Sequence, residues 1–408
     1  MLRAVLGLAL ATTLGSAALG QVKIGVLTDM SSPMADIAGA GSAVAARLAI
    51  EDRNGVALGQ PVELIVGDHQ NRADVALTLV RQWYDRDGVD AIADVPNSGI
   101  AMAVNNVARQ RNRIALFSSP LSDRLAGSDC NGVAFSWTWS MQSLVRAAVY
   151  GQKAQGADSW FVIGADYRAG HMWEDAARKT VAEVGGRFIG AARHAVGATE
   201  YDAVFQAARN SNAKVVLITS AGADLVALLN RARDINFTAN GQKIAILYAF
   251  DTDISAVGLD TMQGVELATP FYWNMDERSR LWSKRFHERT GRKPNMAQAG
   301  VYSSVLNYLA AVDAAGRKKP EFVAAQLRTM KIDDAFARNA HLQANGRLVH
   351  DMQLVRIKSP RESRGPWDQF VQIATVPAEQ AFPTVAGSQC ALPHDSDYPA
   401  FTGPVAAR

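Results

Sequence analysis

Short apolar runs alternate with helical stretches along this chain, and the whole alternation occurs twice. The runs 22–28 (VKIGVLT), 62–68 (VELIVGD), 89–95 (VDAIADV) and 114–118 (IALFS) are rich in β-branched or aromatic residues and stop at polar or turn residues. Runs of that kind are the mark of buried parallel strands. Between them, 36–52 is rich in Ala and other small residues, 73–87 carries Val75, Leu79 and Trp83 on one helical face, and 98–111 follows as a third helix. The pattern restarts with strands expected at 160–165, 187–192, 214–219 and 243–250 and helices at 170–184, 201–210 and 223–235. Repeated βαβ units require a mainly parallel sheet with helices on both faces. The expected fold class is therefore α/β, in two units of similar size.

The remaining third of the chain is too short for another sheet of its own. After 264–273 come helices at 276–290, 296–316 and 320–330, then strand-like 353–358 and 370–375. The helices are expected to complete the first unit and the strands the second, which divides the chain into 21–140 plus 272–345 and 141–271 plus 346–376. Three crossings between units form a hinge, because a few extended residues absorb rotation while each unit stays rigid. From 377 to 408, prolines at 377, 383, 393, 399 and 404 describe a wrapping tail packed on the body.

The first 20 residues, MLRAVLGLALATTLGSAALG, have one positive charge at Arg3, an apolar stretch over 4–14 and small residues toward Gly20. These are the features of a secretory signal peptide, with cleavage expected between Gly20 and Gln21. Read as a membrane anchor, the apolar run falls short of the ~20 residues needed to span, and Thr12, Thr13 and Ser16 interrupt it. Export makes the compartment oxidising, so the two cysteines, Cys130 and Cys390, are expected to form one disulfide that pins the tail back.

Lys and Arg number 42 against 39 Asp and Glu, with no basic block, which argues against a phosphate-neutralising nucleic-acid groove. The signatures G-x-x-x-x-G-K-[ST], H-E-x-x-H, C-x-x-C and G-x-S-x-G do not occur. Gly39-Ala40-Gly41-Ser42 lacks the third glycine of a dinucleotide loop and falls inside a helix-like run, where small residues serve close packing. The seven histidines show no metal-ligand spacing, and Asp29, Asp68, Asp94 and Asp251 at strand ends suit capping as well as chemistry. No nucleophile and base come together. The reading is a binding protein with neither cofactor nor metal; an exported hydrolase is the weaker class.

In open α/β sheets the binding crevice lies at the carboxyl ends of the strands. There the first unit places Thr28-Asp29-Met30-Ser31-Ser32-Pro33, Pro96-Asn97-Ser98-Gly99 and Ser118-Ser119-Pro120-Leu121-Ser122-Asp123. The second places Asp166-Tyr167, Ser220-Ala221-Gly222 and Asp251-Thr252-Asp253. Hydroxyls beside helix N-termini make a natural seat for a carboxylate, with Ser98, Ser119 and Ser122 as candidates; the same serines would equally serve as N-caps. Trp137 and Trp139 at the first crossing, and Phe271-Tyr272-Trp273 at the second, suit either an aromatic clamp or the core.

Three stretches carry a family likeness: 23–52 (KIGVLTDMSSPMADIAGAGSAVAARLAIED), 165–170 (ADYRAG) and 271–313 (FYWNMDERSRLWSKRFHERTGRKPNMAQAGVYSSVLNYLAAVD). With them the chain resembles the substrate-binding proteins of ABC importers, in the Leu/Ile/Val-binding class of the type I periplasmic-binding fold. The resemblance covers the whole mature chain, and 360–366 (PRESRGP) with the late Cys390 looks like a sub-branch that leans toward aromatic acids. It implies two Rossmann-like lobes on a three-segment hinge, a periplasmic location, a monomer, and delivery of a small-molecule carboxylate to the transmembrane subunits of a permease. By position, Asn97, Ser98, Ser119 and Ser122 would take the ligand carboxylate, Tyr167, Ala221-Gly222 and Asp251 would come from the second lobe, and Tyr302 would flank the pocket, with Trp139 and Trp273 as aromatic walls. Ser32, Met34, Arg168 and Ala169 depart from the family pattern at the pocket edge. Two ligand classes stay open: an aromatic or other organic acid, which suits the aromatic residues, and a branched-chain or other amino acid, whose ammonium would pair with Asp251. A periplasmic sensor using the same clamshell is a further alternative.

Overall fold

The structure, a computed structural model, describes residues 20–32 and 34–392. The expected signal segment up to Leu19 and the prolines at 393, 399 and 404 lie outside the described residues. The first sheet is built from β1 (Lys23–Thr28), β2 (Glu63–Asp68), β3 (Ala91–Asp94), β4 (Ile114–Phe117) and β5 (Ala134–Ser136), in the order β2-β1-β3-β4-β5 and parallel throughout. Strands β1, β3, β4 and β5 are almost wholly buried, which explains their continuous apolar runs. Between them lie α1 (Gly39–Glu51), α2 (Ala73–Gln82) and α3 (Ser98–Arg111). Trp83 follows α2 in a wide π turn, and its ring lies across two adjacent strands. Only glycine fits beneath it: a Cβ at Gly25 or Gly67 would stand 2.6 or 2.7 Å from the indole.

The second sheet runs through β6 (Ser159–Ala165), β7 (Arg187–His194), β8 (Val215–Ile218), β9 (Lys243–Ile246), β10 (Glu266–Thr269), β11 (Met352–Ile357) and β12 (Phe370–Val376). Its order is β12-β11-β10-β9-β8-β6-β7. The pairs among β6 to β10 are parallel, whereas β10 with β11 and β11 with β12 are antiparallel, so the late strands add a reversed edge. Around it pack α4 (Met141–Ala154), α5 (Arg168–Glu183), α6 (Asp202–Ser211), α7 (Gly222–Asp234) and α8 (Asp251–Val257). The sequence reading missed α4 and α8. α4 starts from a reciprocal cap between Ser140 and Ser143, and α8 has only seven residues, directly after a run expected to be strand. Strand β9 stops at Ile246, four residues earlier than expected, and after it Tyr248 and Phe250 pack on Trp139.

The chain then returns to the first sheet with α9 (Glu277–Thr290), α10 (Met296–Ala315) and α11 (Pro320–Thr329). α10 lies along α1: Asn295 and Gln298 reach the carbonyls of Ile37 and Ala38 at one end, and Asp313 takes the Leu58 amide at the other. The hinge is not a bare linker. One continuous apolar core runs from Val26 and Leu116 through Trp137, Trp139 and Phe271 to Trp160 and Val215. The outer faces of the two sheets have cores of their own. Cys130 and Cys390 form a disulfide across 260 residues. The tail before it is held by Phe382, buried against His350 at 4.9 Å.

Candidate ligand-binding site

In both lobes the helices that follow the parallel strands start at the strands' carboxyl ends, so α1, α3, α5, α7 and α8 turn their N-termini toward one crevice. The first mouth loop is fixed by two carboxylates. Asp29, wholly buried, accepts from the amides of Ser31 and Ser32 (3.2 and 3.0 Å) and from the Ser32 hydroxyl. Asp68 accepts from the amides of Met30 and Gln70 (3.0 and 2.8 Å) and from Ser31 Oγ (2.7 Å), bonds that hold its carboxyl below the usual range despite the opposing pull of desolvation. After β3, Asp94 and Val95 both take left-handed backbone, with φ of 82° and 58°. For a β-branched valine that is a strained conformation, of the kind surrounding structure must hold in place.

That strain aims the 97–98 loop. Asn97 caps α3 by accepting from the Ile100 amide (3.0 Å) and donates to Asn71 Oδ1 (2.8 Å). Ser98 Oγ accepts from the Leu121 amide (3.1 Å), which ties this loop to the one carrying Ser122. Ser122 Oγ donates a long bond of 3.9 Å to Met102 Sδ. Ser119 is different. It donates to Asp94 Oδ1 at 2.7 Å, and Asp94 is fully buried with burial pushing its carboxyl up. The proton of Ser119 is thereby committed, and toward a ligand this residue accepts. The first-turn amides of Ser98 and Gly99 have no intrahelical partner.

From the second lobe, Tyr167 is 43% exposed and Ala221 starts α7 without a side-chain cap. His194 shares a hydrogen bond with Ser220 Oγ (2.8 Å). Asp251 is 4% exposed and opens α8; its Oδ2 has no partner among the described residues. Burial, with the like charge of Asp253 adding to it, pushes the Asp251 carboxyl up to about 7. Trp139 is 1% exposed and packs on Tyr248 and Phe250, centroids 6.4 and 5.9 Å away, and those two rings meet at 5.1 Å. Its indole N–H is buried and unpartnered, an omission proteins rarely leave without a use. Tyr248 and Phe250 escape a sequence reading because their run, 243–250, has the composition of a strand interior. The early stop of β9 lets both rings pack on Trp139 at the edge of the apolar core.

Two expected residues sit otherwise. Tyr302 does not flank the crevice. Its neighbour two positions back, Gly300, faces Ser118 and Thr138 at the strand ends, and at about 100° per residue the Tyr302 ring points the opposite way. There it packs on Trp282 at 4.9 Å and donates to Asp52 Oδ2 at 2.8 Å. Trp273 is half-buried, with its N–H spent on the Trp367 carbonyl (2.7 Å) and Lys293 Nζ 4.6 Å over its ring, so it fastens the β11–β12 loop to the hinge. Nearby, a cavity of 390 Å³ opens between the lobes, lined by Gly41, Val44, Lys293 and Gln298 on one side and Thr252 on the other.

Two parallel-sheet lobes, a threefold crossing and a crevice ringed by helix N-termini without a catalytic constellation define a two-lobed solute-binding protein. The family profile described as periplasmic binding protein matches residues 21–365. A branched-chain amino acid ABC transporter periplasmic ligand-binding protein from Burkholderia xenovorans LB400 is 42% identical, covers 91% of this chain and 99% of its own, and superposes with a TM-score of 0.89. A periplasmic binding protein from Burkholderia mallei is 36% identical over 91% of this chain and 99% of its own, with a TM-score of 0.80. A solute-binding protein from R. palustris in complex with benzoate shares the fold at 17% identity, with 91% and 100% covered and a TM-score of 0.73. Comparison with curated proteins gives no match. The chain belongs to the periplasmic binding proteins of ABC transporters, a non-enzymatic family located in the periplasm. Among the described residues no helix is long and apolar enough to cross a membrane.

Proposed function

We propose that this protein captures a small organic acid with a flat or apolar body between its lobes and passes it to the transmembrane subunits of a permease. The carboxylate docks first on the amides of Ser98 and Gly99 and the Ser122 hydroxyl, with Asn97 holding that loop and Ser119 accepting from any ligand hydroxyl. Closure then brings Tyr167, Ala221 and Asp251 onto the ligand and excludes water. Only a ligand that binds the closed form better can drive that motion. The observation that carries the reading is the wall of Trp139, Tyr248 and Phe250 with an indole N–H awaiting an acceptor. Rings of this kind supply large apolar area with one polar handle. Trp273, at the hinge, lends support through the loop it fastens.

Asp251 favours a second reading, capture of an α-amino acid, whose ammonium would pair with the free Oδ2. The B. xenovorans relative carries a branched-chain amino-acid description and the R. palustris one holds benzoate, so both chemistries occur on this fold. Calorimetric titration with benzoate, 4-hydroxybenzoate, leucine and valine separates the readings. Heat with the benzoates and none with the amino acids is expected; binding of the amino acids alone would replace the first reading with the second. A scattering profile unchanged by a bound ligand would remove the closure step.

A further inference from the structure

A second cavity, of 160 Å³, lies between the 123–128 loop, the start of α4, the 343–347 turn and the tail at 383–389. Arg347 lines it. This guanidinium is 5% exposed and makes one side-chain hydrogen bond, from Nη1 to the Trp139 carbonyl at 2.9 Å. A guanidinium carries five N–H donors in a fixed fork, so most of them face the cavity unspent. Arg347 has no ion pair among the described residues. The acid that acts on it through space is Asp123, on the opposite wall, where it accepts long bonds from the Gln142 amide (3.3 and 3.4 Å). Burial pushes the Asp123 carboxyl up and the Arg347 guanidinium down to about 10, so each is held at a cost to its charge. Gln343 Oε1, another lining residue, is buried without a partner.

The roof is the tail. Ser388 lines the cavity and its carbonyl rests on Gly127, where a Cβ would come within 2.7 Å of it. The Cys130–Cys390 disulfide ties that contact down. A buried cation without a paired charge is a costly arrangement unless something completes it. We infer that this cavity is a binding site for a small monovalent anion of halide or formate size, held by Arg347 at the hinge beneath the disulfide-tethered tail. The volume suits one such ion with a few waters, each of which takes ~30 Å³ of liquid. The ion would sit one residue away from the ligand wall, since Arg347 holds the carbonyl of Trp139. That places an anion-dependent brace between the first and third crossings of the hinge.

Bromide is the probe. The mature protein is crystallised in sodium bromide, and its melting temperature is compared in sodium bromide and sodium gluconate at equal ionic strength. The expected result is an anomalous peak at the free edge of Arg347 and a higher melting temperature in bromide. Asp123→Asn keeps an acceptor for the Gln142 amide while removing the competing charge, and should tighten bromide binding about tenfold. Arg347→Met should abolish it. If that variant does not fold, Asp123→Asn still decides. No bromide at Arg347 in either protein, with water alone bridging Arg347 to Asp123, would overturn the inference, as would identical melting in the two salts.

Discussion

Replacing Asp251 by Asn tests the crevice through stability before any ligand is known. In the folded protein this carboxyl titrates at about 7, against 3.8 for the free group, because burial disfavours its charge. The folded state therefore holds a proton that the unfolded chain gives up, and stability falls as pH rises through that window. The loss begins near the unfolded value, is complete once pH passes the folded one, and at 1.36 kcal/mol per pH unit has a ceiling of about 4 kcal/mol. Asn has no proton to lose. Urea unfolding of ligand-stripped wild type and Asp251→Asn should coincide near pH 4, separate up to about pH 7 and stay apart to pH 8, with the variant the more stable. Parallel curves, or a variant weaker at pH 8, would refute the claim that this carboxylate waits uncompensated in the crevice. The same pair of proteins reads the ligand class. An ammonium ligand should rescue the wild type at pH 8 and not the variant, whereas a simple acid should stabilise both.

Trp139→Phe keeps an aromatic body in the wall and deletes the unpartnered N–H. Unfolding free energy should hold or rise, while calorimetry shows several-fold weaker ligand binding, as for a lost hydrogen bond of about 1 kcal/mol. Cys130→Ser with Cys390→Ser frees a 260-residue closure; the chain-entropy argument gives a loss on the order of 5 kcal/mol, seen as an earlier melt that reductant no longer changes. Gly25→Ala should cost about 1–3 kcal/mol in urea unfolding, because its Cβ would stand 2.6 Å from the Trp83 ring; an unchanged midpoint would mean that Trp83 does not lie where the sheet places it.

Ten of the main runs in 22–118, 160–250 and 353–375 are strands in the structure, with shifted ends; the buried parallel ones leave runs with no alternation, whereas β7 is a part-exposed edge and β11 and β12 pair antiparallel. Strand β5 escaped because three residues, Ala134–Ser136, leave no period to read. The serines at the strand ends were legible by type but not by partner. Ser119 and Ser122 look alike in sequence, yet one donates to the buried Asp94 carboxylate at 2.7 Å and the other to Met102 Sδ at 3.9 Å. Nothing in the string DVPNS announces two left-handed residues in a row, since neither Asp94 nor Val95 is a glycine. Tyr302 went astray for a simpler reason. Position along α10 was read without its phase, and one step of two residues separates the crevice side from the α9 side.

Some of the buried polar groups without partners among the described residues stand near strand ends, while others, such as Ser42, Trp282 and Tyr308, sit on helices. Trp139, Thr219 and Asp251 hold buried atoms with no hydrogen bond among the described residues and stand past the carboxyl ends of strands, whereas the Thr28 and Ser42 hydroxyls lie beside Asp94 and favour its charged form. In a core such atoms are expensive. In a crevice that closes they are a store of binding energy that water satisfies when the lobes part and a ligand must satisfy when they meet. On the proposed reading, a solute lacking an acceptor for Trp139, or leaving Asp251 alone, would be shut in with unmatched groups and rejected. Selection for one solute then depends as much on which atoms the protein leaves bare as on the shape of the wall.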